Sequence, residues 1–125
     1  MTTKKEILVI EDEIQFAEMI KLRLGLTGNS VSIATDTNDG IYKIKNNSYD
    51  LIILDLMMPG GGGISLLETI KMYPDKKDIP VIVVTGKTVT AELKKKLDEY
   101  HVADILIKPY DPVQFLGKIN VLLTQ

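Results

Sequence analysis

Four apolar runs of strand length in this chain each stop at a reactive polar residue. Ile7-Leu8-Val9-Ile10 runs into Glu11-Asp12, and Leu51-Ile52-Ile53-Leu54 runs into Asp55. Val81-Ile82-Val83-Val84 stops at Thr85, and Ile105-Leu106-Ile107 stops at Lys108-Pro109. Unbroken apolar runs of this kind suit strands buried on both faces, as in a parallel sheet covered by helices. In an open parallel sheet the carboxyl ends of the strands share one edge, and ligands bind along it. Parallel packing of these four strands gathers three carboxylates, a hydroxyl and an ammonium at one rim. That set suits a divalent cation and a phosphoryl group.

The segments between the runs have helical spacing. Phe16, Met19, Ile20 and Leu24 form one stripe after the acidic triplet, and Gly28-Asn29 offers a left-handed close for that helix. Val31 to Ala34 is a shorter, less apolar strand, expected near an edge. From Thr37 to Asn47 a marginal helix carries Ile41 and Ile44. After Met58-Pro59 and four glycines, Ile64, Leu67 and Ile70 mark a third helix ending near Pro74. A lysine-rich fourth helix has a thin stripe at Leu93 and Leu97, which leaves it loosely held and open to a partner. The fifth opens with Asp111 as cap, Pro112 in the first turn and Gln114 three residues after the cap, and buries Leu116, Ile119 and Leu123. The order is β-α five times, with crossovers long enough to be helices. Right-handed crossovers then put helices on both faces of a doubly wound, five-stranded parallel α/β sheet.

At 125 residues the chain is expected to form one domain, residues 1–125. A hydrophobic content of 45% with 26% charged residues argues against disorder. The absence of cysteine excludes disulfides and thiolate metal sites and fits a reducing, cytoplasmic setting. No apolar run approaches the ~20 residues that span a bilayer, and no signal-peptide core precedes the first strand. The net charge is -2, with Arg23 the only arginine, so nucleic acid binding is not expected.

Asp55 carries the chemistry. An unpaired carboxylate inside a core is strongly disfavoured, but at the open end of a strand it stays accessible and can act as a nucleophile toward phosphorus. Clustered carboxylates attract a hard cation with oxygen ligands, and Mg2+ fits best. Lys108 supplies a compact positive charge for one phosphoryl oxygen and Thr85 a hydroxyl for another. Each residue also has an ordinary explanation: Glu11-Asp12 can cap the first helix, Thr85 is a common strand residue, and Lys94-Lys95-Lys96 suits a solvated helix face. His101 is expected to be solvated near a helix end. Gly60–Gly63 lacks the ending of a P-loop and the spacing of a dinucleotide fingerprint, and reads as a turn.

Taken together, these residues resemble the receiver domain of two-component response regulators over the whole chain. In that family an acidic pair follows strand one, matching Glu11-Asp12, and the phosphoacceptor aspartate follows strand three, matching Asp55. A Met-Pro and a glycine downstream match Met58-Pro59 and Gly63. A Thr or Ser follows strand four, matching Thr85, and a Lys-Pro with a typically cis bond matches Lys108-Pro109. The resemblance implies the flavodoxin-like (βα)5 order 2-1-3-4-5. It also implies a Mg2+ held directly by Asp12 and Asp55, by Glu11 through water, and by the Met57 backbone carbonyl. Its implied partners are a sensor histidine kinase or phosphotransfer protein. A downstream protein, an output domain or a second copy would meet the face of the fourth and fifth helices and fifth strand. Its implied role is a regulatory phosphoacceptor rather than an enzyme acting on an external substrate. The pattern departs at Ile105, where receivers usually carry Tyr or Phe, so coupling from Thr85 to the outer face must run differently.

Three other readings compete. A phosphorylation-independent receiver-like binding module gains support from Ile105. An aspartate-nucleophile phosphatase characteristically needs a second aspartate two residues after the nucleophile, where this chain has Met57. A flavin-binding flavodoxin-like protein shares the topology, but the loop after strand one opens with acids where a flavin phosphate needs donors.

Overall fold

The computed structural model describes residues 4–58, 62–86, 89–109 and 111–124. Pro59 of the Met-Pro pair, Gly60 and Gly61 of the glycine run and the first three residues lie outside that set. Strands and helices alternate: β1 (Glu6–Ile10), α1 (Ile14–Gly25), β2 (Ser30–Ala34), α2 (Thr37–Asn46), β3 (Leu51–Asp55) and α3 (Gly62–Met72). They continue with β4 (Val81–Thr85), α4 (Ala91–Glu99), β5 (Asp104–Ile107) and α5 (Pro112–Leu123). All strand pairs are parallel, in the order β2-β1-β3-β4-β5. The expected (βα)5 topology holds, and β2 is an edge strand, as its weaker hydrophobicity implied.

Because β3 and β4 are central, every residue of each is buried. Their side chains alternate between two separate cores. Ile7, Val9, Leu51, Ile53, Ile82, Val84 and Leu106 face α1 and α5, meeting Ala17, Ile20, Leu24, Phe115 and Ile119. Leu8, Ile10, Ile52, Leu54, Val81 and Val83 face the other way, against Ile44, Leu66, Leu67, Ile70 and Leu97.

Local chemistry fixes the helix ends. Asp36 accepts from the Asp39 N–H at 2.7 Å, Thr90 from Leu93 at 3.1 Å, and Asp111 from Val113 at 3.0 Å, each satisfying an orphan donor of a first turn. Helix α1 runs to Gly25 and is closed by Gly28-Asn29, as its sequence implied: the Gly28 N–H donates to the Gly25 carbonyl at 3.0 Å and the Asn29 N–H to the Leu24 carbonyl at 3.4 Å. The Thr27 hydroxyl and Asn29 amide both donate to the Leu24 carbonyl, at 2.9 and 3.2 Å. These side-chain donors add to the backbone closure, for which Gly28 takes up the left-handed φ of 87°. Two buried stripes differ from the expected ones: Leu66 joins Leu67 and Ile70 in α3, and Phe115 leads in α5 while Leu116 and Leu123 are only partly covered. In α4 only Leu97 is buried, the thin stripe read from the sequence.

Candidate functional site

Register brings the polar strand ends together. Ile10 pairs with Leu54, so Glu11 and Asp55 are neighbours one step further on. Asp55 pairs with Val84, and Thr85 with Ile107, which sets Thr85 and then Lys108 just beyond. The Lys108 N–H donates to the Thr85 carbonyl at 2.8 Å, and the Leu56 N–H to the Val84 carbonyl at 3.0 Å, so ladder bonding carries on past the strands. The Lys108-Pro109 peptide is cis, as expected.

The Lys108 ammonium donates to Glu11 Oε1 at 2.8 Å and reaches Asp55 Oδ2 at 3.4 Å. Asp55 Oδ1 accepts from the Met57 N–H at 2.9 Å, and Glu11 Oε2 from the Glu13 N–H at 3.2 Å. Both carboxylates are therefore oriented by backbone donors as well as by the lysine. Carboxylate oxygens of Glu11, Asp12 and Asp55 lie within 4.8 Å of one another. Asp12 is exposed, whereas Glu11 and Asp55 are only 2% and 3% exposed. The expectation that Asp55 stays accessible is thus corrected. It is covered at the rim, and pairing with Lys108 and the Met57 N–H supplies the contacts that open solvent would otherwise provide.

Among the described residues charge in this cluster is unbalanced: three carboxylates face one ammonium. Burial, followed by the adjacent Asp55 carboxylate, pushes Glu11 up to about 7, against the lowering effect of its hydrogen bonds from Lys108 and the Glu13 N–H. Burial acts to lower the Lys108 pKa, but the hydrogen bond and charge of Glu11 and the nearby Asp55 outweigh it and raise it. A set of hard oxygen donors with excess negative charge can hold a divalent cation. The residues present fit that role.

Thr85 is fully buried at the end of β4. Strand parity sets it on the same face as Val83 and its partner Ile105, toward α3 and α4, while Glu11, Asp55 and Lys108 share the α1–α5 face. Ile105 is partly buried against that α3–α4 core. His101 is exposed at the end of α4 with a positive φ of 55°, a solvated position as expected. One residue near the chemistry was read from the sequence only as part of a helix stripe: Phe16, whose ring centroid lies 4.2 Å from the Lys108 Nζ. The same-face parity of Glu11, Asp55 and α1 was the available signal.

The sequence matches the family model for the response regulator receiver domain over residues 7–120. The chain belongs to this family. The receiver is 35% identical over 118 residues to the response regulator ArlR of Staphylococcus saprophyticus, an alignment covering 94% of this chain and 52% of ArlR. It thus spans about half the length of the curated relatives it matches. The receiver also resembles the chemotaxis protein CheY4 of Vibrio cholerae, with a TM-score of 0.88, 25% identity and coverage of 97% of this chain and 100% of CheY4. The response regulator TrrA of Thermotoga maritima, solved in complex with Mg(2+)-BeF, gives a TM-score of 0.79 at 28% identity, covering 95% and 99% of the two chains.

Proposed function

We propose that residues 1–125 form a phosphorylation-controlled switch in which Asp55 accepts a phosphoryl group. The observation that carries this is the convergence of Lys108 on Glu11 and Asp55, at 2.8 and 3.4 Å, from positions far apart in sequence. A carboxylate oxygen of Asp55 attacks phosphorus, the new O–P bond forms, and the bond from phosphorus to the donor breaks. The donor's imidazole or acyl oxygen leaves with the bonding pair. Lys108 is already charged and within reach, so it meets the growing negative charge on a phosphoryl oxygen without prior reorganisation. Thr85 supplies a hydroxyl donor from β4 once the phosphoryl group is in place.

Asp12, Asp55, Glu11 through water, and the Met57 backbone carbonyl would hold a Mg2+ ion. When bound, the ion neutralises charge on the phosphoryl oxygens. The three carboxylates within 4.8 Å support this, and so does the Mg(2+)-BeF complex of TrrA. The phosphoryl donor would be a sensor histidine kinase or a phosphotransfer protein, as the response-regulator relatives imply. A phosphoryl group brings roughly −1.5 to −2 charge units into a covered site. Pulling Lys108 and Thr85 toward it would bias the β4–α4 and β5–α5 connections. The exposed Ile107 and Val113 beside those connections, with Val121 further along α5, offer apolar surface for an output domain, a downstream protein or a second copy. The role is regulatory, with chemistry confined to the chain's own aspartate, and no helix among the described residues is long and apolar enough to cross a membrane.

Intact-mass measurement after incubation with Mg2+ and acetyl phosphate tests the switch. One added phosphoryl group is expected, with none on Asp55→Asn. Equal uptake by the variant would overturn the assignment. Ile105 in the place of an aromatic favours a second reading, a receiver-like module that binds its partner irrespective of phosphorylation. In that case partner affinity would not change between labelled and unlabelled protein.

A further inference from the structure

Lysine ammonium groups are compact, strongly hydrated and mobile on a four-carbon stem. Lys108 departs from that behaviour. Its side chain is 21% exposed, and three groups surround its ammonium: Glu11 Oε1 at 2.8 Å, Asp55 Oδ2 at 3.4 Å and the Phe16 ring centroid at 4.2 Å. A crevice lined by Glu11, Phe16, Ile20, Ile53, Asp55 and Val84, beneath the ring and the two carboxylates, is too small for water. The ring covers part of this largely sheltered ammonium, and a partly desolvated cation–π contact is stronger than an exposed one. Phe16 sits in the first turn and a half of α1 and packs on the core formed by Ala17, Ile20 and the strand residues of that face. The ring is thus fixed to the scaffold, whereas the two carboxylates belong to the site whose charge changes.

We propose that Phe16 is a positioning residue for Lys108. Its ring face confines the ammonium to the lane between Glu11 and Asp55, so that Lys108 moves along one line from Glu11 to a phosphoryl oxygen on Asp55. The proposal rests on Asp55 being the phosphoacceptor. Without the ring, the ammonium keeps its hydrogen bond to Glu11 but gains freedom to swing outward to water. Productive alignment with Asp55 is then less frequent. An aliphatic residue at position 16 preserves the packing and loses the guidance.

Two measurements on the 125-residue chain separate this from a purely structural role. In carbon-proton correlation spectra of the metal-free protein, the Lys108 ε-methylene should lie upfield of the other lysines because it sits over the ring. That shift should vanish in Phe16→Leu and persist in Phe16→Tyr. Phosphoryl uptake from acetyl phosphate with Mg2+ should fall about three- to tenfold in Phe16→Leu, the size of a partly desolvated cation–π contact, and recover in Phe16→Tyr. Should Phe16→Leu fail to fold, Phe16→Met takes its place with the same expectations. An ordinary Lys108 shift in the wild-type chain, or uptake unchanged without the ring, overturns the proposal. No uptake by any variant, wild type included, sinks the phosphoacceptor assignment instead, and the spectral comparison still decides whether Phe16 positions Lys108.

Discussion

Among the described residues Lys108 is the one cation beside the three carboxylates, and removing it exposes what it holds. Lys108→Met takes the counter-ion from Glu11 and Asp55, which are 2% and 3% exposed in the wild-type chain. Breaking a fully buried pair costs ~3–5 kcal/mol. Because Lys108 is partly solvated and both carboxylates keep a backbone N–H donor, about 2 kcal/mol is expected here. Urea denaturation in a chelating buffer measures the loss, and added Mg2+ should recover part of it by replacing the missing positive charge. An undiminished midpoint would mean that the ion pair contributes nothing to the fold. The pairing itself was legible in the sequence, since an acid pair, an aspartate and a lysine each follow an apolar run. The burial of Asp55 was not. A run of apolar residues tells where a strand ends, but not how far the neighbouring loops close over its last side chain.

At the level of elements, two features make sharp demands. Helix α3 approaches the end of β3 so closely that a Cβ on Gly63 would overlap the Leu56 Cα and lie 2.8 Å from its carbonyl oxygen. That is an overlap with main chain, which cannot rotate away. Gly63→Ala should therefore cost at least about 2 kcal/mol and displace the segment behind Asp55. Gly40 is a contrast: its Cβ would meet the Leu66 side chain at 3.3 Å, so Ala there should be tolerated much better. Chemical denaturation of the two variants compares them directly, and equal losses would contradict the steric account. Helix α4 has a single buried residue, Leu97, and its Lys94–Asp98 pair is solvent-exposed. Its amides should exchange with deuterium faster than those of α1, α3 and α5, as expected for a locally weak element. The β-α alternation and the caps at Thr90 and Asp111 could be read from spacing and local chemistry. So could the close of α1, where Gly28 takes the left-handed φ that its position suggested. The lead role of Phe115 in α5 could not, because it depends on where α1 sits.

For the molecule as a whole, the crowded carboxylates link folding, protons and cation binding. The folded-state pKa of Glu11 is raised from 4.5 to about 7, chiefly by burial. The folded chain then holds a proton that the unfolded chain releases between those values. Stability of the metal-free protein should accordingly fall as pH rises from about 4.5 to about 7. Glu11→Gln should flatten that stretch of the melting profile, and Mg2+ should bind more tightly as the same proton leaves. A melting temperature that rises through this window in the wild type alone would reverse the sign and refute the linkage. Strand order and hydrophobic runs made the sheet and its reactive rim readable from sequence, because a parallel sheet leaves few places for such residues to meet. The two-sided division of that rim was harder to see: it follows from parity along β3, β4 and β5, with Thr85 facing α4 while Asp55 and Lys108 face α1. The central claim is that Asp55, beneath Lys108, becomes covalently phosphorylated. Borohydride reduction of protein treated with acetyl phosphate and Mg2+, followed by peptide sequencing in a mass spectrometer, locates the acyl phosphate as homoserine. Conversion at position 55 alone is the expected result; conversion at Asp12 or another residue, or at none, would contradict it.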